Sequence, residues 1–297
     1  MPIKILTYNV AMLRGEGKKV RAYNICRRIK EEKYDVICFQ EVFDEDIRDD
    51  SFVVSLSKVY PESSMVVKAS DNFLKFEDSG LFFASKFPMS AWDFMSYKYS
   101  ALTSDIFADK GLMGCRLDIS SVYPGQELFV FNSHLQSDYE AKYPEIRKEQ
   151  FLQISEGIRN WLFKTRTSGY QNTSAILFGD LNVIGAASKN PGEDAEYFDM
   201  IKTLSNPRDL FTEKNPGDPG YTWDDLKNKF KTHKRSNGYQ ERLDYALAFN
   251  HIPIHGNAAN KVPLKPVNCS GIKIKKFKSD DGKDLSDHYG LELIIDF

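Results

Sequence analysis

Val36-Ile37-Cys38-Phe39-Gln40-Glu41 runs four apolar residues into two polar ones. The apolar part reads as a buried strand, and the polar pair at its C-terminal end stands where a rigid sheet can aim side chains into a pocket. Upstream, residues 3–10 read as another strand with a polar end at Tyr8-Asn9. Between them, Ala22, Ile25, Cys26 and Ile29 fall at i, i+3, i+4 and i+7, the stripe of an amphipathic helix. Downstream, strands are legible at 79–85, 112–118, 128–133, 174–179, 242–249 and 289–296. Phe151, Ile154, Ile158, Trp161 and Leu162 trace one further helix face, and Tyr197, Met200, Ile201 and Leu204 another. Strands outnumber helices, and several follow one another through loops too short for a parallel crossover. The expectation is an α/β fold of two packed mixed β-sheets flanked by helices, a four-layer α/β sandwich, in a single domain over residues 1–297.

Composition narrows the function classes. Hydrophobic residues make up 41% and charged residues 28%, as in a globular chain with a sizeable core. The net charge of -2 lends no support to nucleic-acid binding, although a neutral total can hide a local basic groove. Cys26, Cys38, Cys115 and Cys269 lack paired C-x-x-C spacing and read as buried thiols, not a zinc site or disulfide framework. The strand pattern starts at once, without a charged and apolar leader, and no apolar run nears the ~20 residues of a membrane span. A soluble chain is expected, cytoplasmic or exported by a route without a classical signal. Residues 215–220 read as a Gly/Pro loop and 273–283 as a charged, mobile connection.

Five polar clusters follow apolar runs: Tyr8-Asn9, Gln40-Glu41, Ser133-His134-Leu135-Gln136, Gly179-Asp180-Leu181-Asn182 and Ser286-Asp287-His288. Singly each is weak, because an Asn or Asp after a strand is more often a turn former or helix cap than a ligand. Jointly they supply carboxylate and amide oxygens with two imidazoles and no cysteine. That set suits a hard cation such as magnesium, manganese or calcium, and a hard cation points to phosphate.

Leu6-Thr7-Tyr8-Asn9-Val10, Phe39-Gln40-Glu41-Val42, Asn132-Ser133-His134-Leu135, Gly179-Asp180-Leu181-Asn182, Arg242-Leu243-Asp244-Tyr245 and Ser286-Asp287-His288-Tyr289 resemble, in the same order, the motifs of the deoxyribonuclease-I-like endonuclease/exonuclease/phosphatase superfamily. The resemblance implies a four-layer sandwich with divalent-metal phosphoester hydrolysis at the top of the two sheets. It makes Glu41 the principal metal ligand, with Asn9 beside it and Asp287 assisting. Asp180 and Asn182 would orient the attacking water and hold a phosphate oxygen. His288 would be the general base, its ring oriented by Asp244, while His134 would stabilise the phosphoryl group or protonate the leaving oxygen. The implied cofactor is Mg2+, with Mn2+ or Ca2+ as alternatives.

Three details resemble the neutral sphingomyelinase branch. They are Ser133-His134-Leu135-Gln136-Ser137 with Arg147 and Gln150 on a helix behind it, Asp109-Lys110-Gly111 with Lys110 placed to meet a substrate phosphate, and Tyr221-Thr222-Trp223-Asp224. The implied reaction is phospholipase-C-type cleavage of sphingomyelin at a membrane surface by a monomer in peripheral contact. Asp-Lys-Gly is also a common surface turn, and Thr-Trp-Asp variants occur in nucleases of the superfamily. The interval 246–286 has no aromatic pair at a turn, unlike the hairpin of secreted bacterial members. Lys273, Lys275, Lys276 and Lys278, or the aromatic stretch 92–99, stand as candidate membrane contacts. A nuclease or DNA-repair phosphodiesterase acting on nucleic acid is the alternative, and a catalytically inactive binding module a second one. Gln240-Glu241-Arg242-Leu243-Asp244 lacks the Trp-Cys-Asp-Arg signature of inositol-polyphosphate phosphatases. His233, His251 and His255 fit no motif and read as surface or loop residues, and Tyr8 and Trp223 also suit a core.

Overall fold

The computed structural model describes residues 1–12, 17–43, 45–63, 78–98, 108–137, 143–189, 194–230, 238–254 and 257–297. The chain enters through β1 (Ile3–Asn9), α1 (Lys18–Glu32) and β2 (Val36–Gln40), then α2 (Glu45–Ile47), α3 (Val54–Leu56), β3 (Glu62–Ser63) and β4 (Phe82–Ser85). The second sheet is laid down by β5 (Met89–Ser96), β6 (Gly111–Asp118) and β7 (Glu127–His134), followed after α4 (Tyr143–Thr165) by β8 (Thr173–Asp180). Next come α5 (Asp194–Thr203), β9 (Arg208–Asp209), α6 (Leu210–Lys214), β10 (Trp223–Asp224), β11 (Gln240–Glu241) and β12 (Asp244–Phe249). A hairpin of β13 (His251–Ile254) and β14 (Asn257–Pro263) leads to β15 (Asn268–Lys275) and β16 (Gly290–Asp296).

The strands form two six-stranded sheets, in the orders β15-β16-β1-β2-β4-β3 and β5-β6-β7-β8-β12-β9. Each has one parallel pair, β1 with β2 and β7 with β8, flanked by antiparallel neighbours. Mixed sheets follow because each parallel pair encloses a helix, α1 or α4, while the other connections turn back directly.

Alternation assigns the faces. Ile3 and Ile5 of β1, and Val36 and Cys38 of β2, pack inward against Cys115, Val130, Ile176 and Phe178 of the opposite sheet. The other faces carry Leu6, Tyr8, Ile37 and Phe39 under α1, and Phe129, Phe131, Leu177 and Tyr245 under α4. The layers run helix, sheet, sheet, helix, as expected from the sequence. The four cysteines are buried free thiols.

Two expectations change. Residues 273–275, the start of the expected charged connection, instead end an edge strand over 268–275 in which Cys269 and Ile272 are buried. Lysine density masks this period-2 pattern in the sequence. The turn that follows is fastened to α1, where Arg27 and Arg28 both bond Asp280, at 2.7 and 2.9 Å. His251 opens β13 and is half-buried. His233 and His255 lie outside the described residues.

Candidate active site

The parallel pairs set the site. In register, Asn9 ends β1 opposite Gln40, His134 ends β7 opposite Asp180, and Asp180 stands opposite Asp244. Five of the motif residues thereby reach one rim from two sheets. Gln40 also crosses between sheets, donating to Asn132 Oδ1 at 2.7 Å, while Asn132 donates to Phe39 O at 2.8 Å. These buried amides lock the sheets in phase beneath the site.

Just beyond the strands the chain turns sharply. Ala11, Glu41 and Asn182 adopt left-handed conformations at φ 50, 59 and 50. For non-glycine residues this costs about 1 kcal/mol each, and the surroundings hold it. Met12 N donates to Glu41 O at 3.0 Å, and Asn182 N to Asp180 Oδ1 at 3.1 Å. Gly179, at φ 141, is required because a Cβ there would lie 1.8 Å from Ser133 O. The glycine of Gly179-Asp180-Leu181-Asn182 therefore permits β7 and β8 to close where the site is built.

Asp180 Oδ2 is the centre. Asn9 Nδ2 donates to it at 3.0 Å and to Glu41 Oε1 at 3.1 Å. Ala11 N needs an acceptor and finds Asn9 Oδ1 at 3.1 Å, which sets the amide's orientation. Asn9 thus turns its nitrogen, not its oxygen, toward the carboxylates. The Nε2 atoms of His134 and His288 lie 3.6 and 3.5 Å from the same Asp180 oxygen.

On one side, His288 Nδ1 bonds Asp244 Oδ2 at 2.9 Å, leaving Nε2 to face the pocket. Thr222 Oγ1 accepts from the amides of Leu243 and Asp244, and the Trp223 ring meets His288 edge-on at 5.1 Å. Burial disfavours the His288 cation, but Asp244 and then Asp180 outweigh it and hold the imidazole well above its ordinary pKa.

On the other side, Lys110 Nζ lies 3.2 Å from His134 Nε2 and donates to Leu135 O at 2.7 Å. Asn182 Nδ2 donates to the same carbonyl at 3.2 Å. Burial, then the Lys110 and His288 charges, push His134 well below its ordinary pKa. Behind it, Gln150 accepts from Gln136 N, and Arg147 clamps Gln136 O while pairing with Glu196 at 2.8 Å. Asp109 accepts from Ser96.

A divalent cation fits this donor set. Ligand atoms of Glu41, His134 and Asp180, and likewise of Asp180, Asp244 and His288, lie within 4.8 Å of one another. Burial and the nearby Asp287 raise Glu41, and burial with Asp244 raises Asp180. Converging carboxylates held above their usual range, with no sulfur among them, match a hard cation. The Glu41 side chain is 24% exposed against 2% for Asp180, so the pocket opens on the Glu41 side.

Sequence patterns brought Asn9, Glu41, His134, Asp180, Asn182, Asp244, Asp287, His288 and Lys110 into view, and the fold gathers them. They missed the supports. Arg21 bonds the carbonyls of Ala11 and Leu285, both at 2.8 Å, from the buried side of α1. Asn228 donates to the carbonyls of Ser286 and Asp287, both at 3.0 Å. A charge beside Ala22 on an apolar helix stripe was the available cue for Arg21; Asn228 has none. Of the aromatic stretch 92–99, Tyr97 is buried, with its hydroxyl 2.6 Å from Ser133 Oγ, and Trp92 sits mid-strand on β5; Tyr99 lies outside the described residues. Tyr8 is a core aromatic against Phe277.

Carboxylate oxygens and paired imidazoles at the rim of two packed mixed sheets could hold a metal ion beside groups able to move protons. Residues 6–288 match the endonuclease/exonuclease/phosphatase family, and the chain belongs to it. Sphingomyelinases of Dictyostelium discoideum and Leptospira interrogans are 28% and 27% identical over 89% and 97% of this chain, which covers 72% and 51% of theirs. An uncharacterized Dictyostelium discoideum protein is 32% identical over 51% of this chain, which spans only 14% of it. Among solved structures, Staphylococcus aureus beta toxin with bound magnesium ions superposes with TM-score 0.71 at 23% identity, covering 99% of both chains. D. rerio TDP2 complexed with a single-strand DNA product also reaches 0.71, at 18% identity over 100% of this chain and 99% of that one. Such likenesses establish the fold. No described helix is long and apolar enough to cross a membrane.

Proposed function

We propose that this chain is a magnesium-dependent phosphodiesterase that hydrolyses sphingomyelin or a related phosphocholine lipid to release phosphocholine. The carrying observation is Lys110, whose ammonium is buried in the pocket 3.2 Å from His134 Nε2. Asp109 and Lys110 are buried, unlike a surface turn, and this supports reading Asp109-Lys110-Gly111 as part of the site. The sphingomyelinase relatives support the same branch.

Glu41 and Asp287 would hold the cation, with Asn9 fixing the Glu41 carboxylate. When bound, the metal offsets charge on the phosphoryl oxygens. Asp180 and Asn182 position the attacking water and a phosphate oxygen. His288 accepts the water's proton at Nε2, because Asp244 occupies Nδ1. Its proton affinity depends partly on Asp180 and Asp287. Asp287 would be engaged by a bound cation, so the base role belongs to the metal-loaded site. His134 stays neutral and anchors Lys110, which brings positive charge to the phosphoryl and leaving oxygens.

The test is phosphocholine release from sphingomyelin vesicles by the purified chain, with and without magnesium, beside lysophosphocholine lipid and an abasic DNA duplex. Magnesium-dependent release with intact DNA is expected. Cleaved DNA with untouched lipid would overturn the lipid reading. That second reading is favoured by one stretch, Lys227 to Arg235, which carries Lys227, Lys229, Lys231, Lys234 and Arg235 and no Asp or Glu.

A further inference from the structure

Two segments that brace the site also carry exposed apolar and basic side chains. Arg21 reaches from α1 to the carbonyls of Val10, Ala11 and Leu285, flanking Asn9 and Asp287 in the chain. The Phe230 ring covers that guanidinium at 4.4 Å. Asn228 binds the carbonyls of Ser286 and Asp287. The first turns of α1 and the chain after Trp223 are therefore joined to each other and to the catalytic loops.

What they turn outward is apolar and basic. Val20, Tyr23 and Leu226 are 64%, 62% and 66% exposed, among the most exposed large hydrophobic residues described. Lys19, Lys227 and Lys229 are exposed beside them in the chain. Among the described residues, the side chains of Lys19, Lys227 and Lys229 make no ion pair. The lysines of β15 and its turn behave differently. Lys273 pairs with Glu292 at 3.0 Å, Lys275 with Glu32, Lys278 with Asp284 at 3.4 Å, and Lys276 covers the Tyr289 ring at 4.3 Å. The lysines that stand out in the sequence are engaged within the fold, whereas Lys19, Lys227 and Lys229 face solvent.

We propose that Lys19, Val20, Tyr23, Leu226, Lys227 and Lys229 form the surface that docks this chain on a membrane carrying anionic lipid. The proposal rests on the reading of the site as a lipid phosphodiesterase. Lysines near a bilayer are drawn to anionic headgroups, and exposed Leu, Val and Tyr side chains gain by entering the headgroup boundary. A nucleic acid would match the charge but leaves the aliphatic Val20 and Leu226 without a role. Asn228 is bonded to the Asp287 backbone, so docking at Lys227 and Lys229 would bring the catalytic loop to the lipid surface.

The experiment is co-sedimentation of the full chain with phosphatidylcholine vesicles, with and without phosphatidylserine. The variants are Lys227→Gln/Lys229→Gln and Leu226→Ser. Phosphocholine release from detergent-dispersed sphingomyelin is measured in parallel. Wild type should bind the phosphatidylserine vesicles more tightly, less so as salt rises. The double lysine variant should bind about 30-fold more weakly, and Leu226→Ser about tenfold more weakly. Both should turn over dispersed substrate at the wild-type rate. Equal binding by wild type and variants would overturn the proposal, as would variant-sensitive retention on single-stranded DNA without vesicle binding. Sedimentation needs no turnover. A chain that docks in this charge-dependent way yet releases no phosphocholine would break the catalytic reading and support the docking surface.

Discussion

The two halves of the pocket present one imidazole each to the same Asp180 oxygen, at 3.5 and 3.6 Å, and drive them in opposite directions. His288 has Asp244 behind it and is held as a cation well above its ordinary pKa in the metal-free chain. His134 is kept neutral by burial and then by Lys110 in front of it. Two residues of one type thereby become unlike groups in the metal-free chain, a cation beside Asp244 on one side and a neutral ring beside the Lys110 charge on the other.

Removing the acceptor should have the largest effect. His288→Ala is expected to lower kcat by about 10^3-fold or more, with circular dichroism unchanged, and Glu41→Ala to fall comparably without rescue by magnesium. Near-wild-type turnover in either variant would end the assignment. Asp244→Asn keeps the ring but weakens its support, and should cost about 10^2-fold. It also sharpens the comparison by a pH profile. Asp244 raises His288, so its loss lowers that pKa. Activity requires the neutral base, and the acid limb of the rate profile should move to lower pH.

Lys110→Met addresses the other half. Losing one charged hydrogen bond to the phosphate should cost about 10- to 100-fold. The positive neighbour that depresses His134 is also gone, so the His134 imidazole should titrate higher by NMR. An unmoved resonance would mean that burial alone keeps this ring neutral.

The smallest effect is on stability. Glu41 and Asp180 are raised, so without metal the folded chain binds their protons more tightly than the unfolded chain does. Their contribution is full below the ordinary carboxylate range and is lost as pH rises through their folded-state pKa values. Magnesium should offset that loss, raising Tm by about 5 °C near saturation and more at about pH 8 than at about pH 5. Equal shifts at both pH values would indicate a cation bound elsewhere.

Much of this was legible in the sequence for local reasons. Strand periodicity and the apolar-to-polar switch at strand ends are short-range patterns, so residues such as Gln40-Glu41 and Gly179-Asp180 mark both where strands stop and which donors they present. The lysines of 273–278 show the limit. Charge density is visible in a sequence, but whether a lysine faces solvent or pairs with Glu292 depends on a strand register that no local pattern contains. The sequence by itself determined the four-layer class and brought the candidate carboxylates, amides and imidazoles into view. The tertiary structure alone decided how they differ. It stacked Asp244 beside Asp180, turned the Asn9 amide nitrogen toward two carboxylates, and set Arg21 and Asn228 behind the loops. The physical reason is distance along the chain: propensity and periodicity act over a few residues, whereas burial and Coulomb fields join groups as far apart as Asn9 and Asp180.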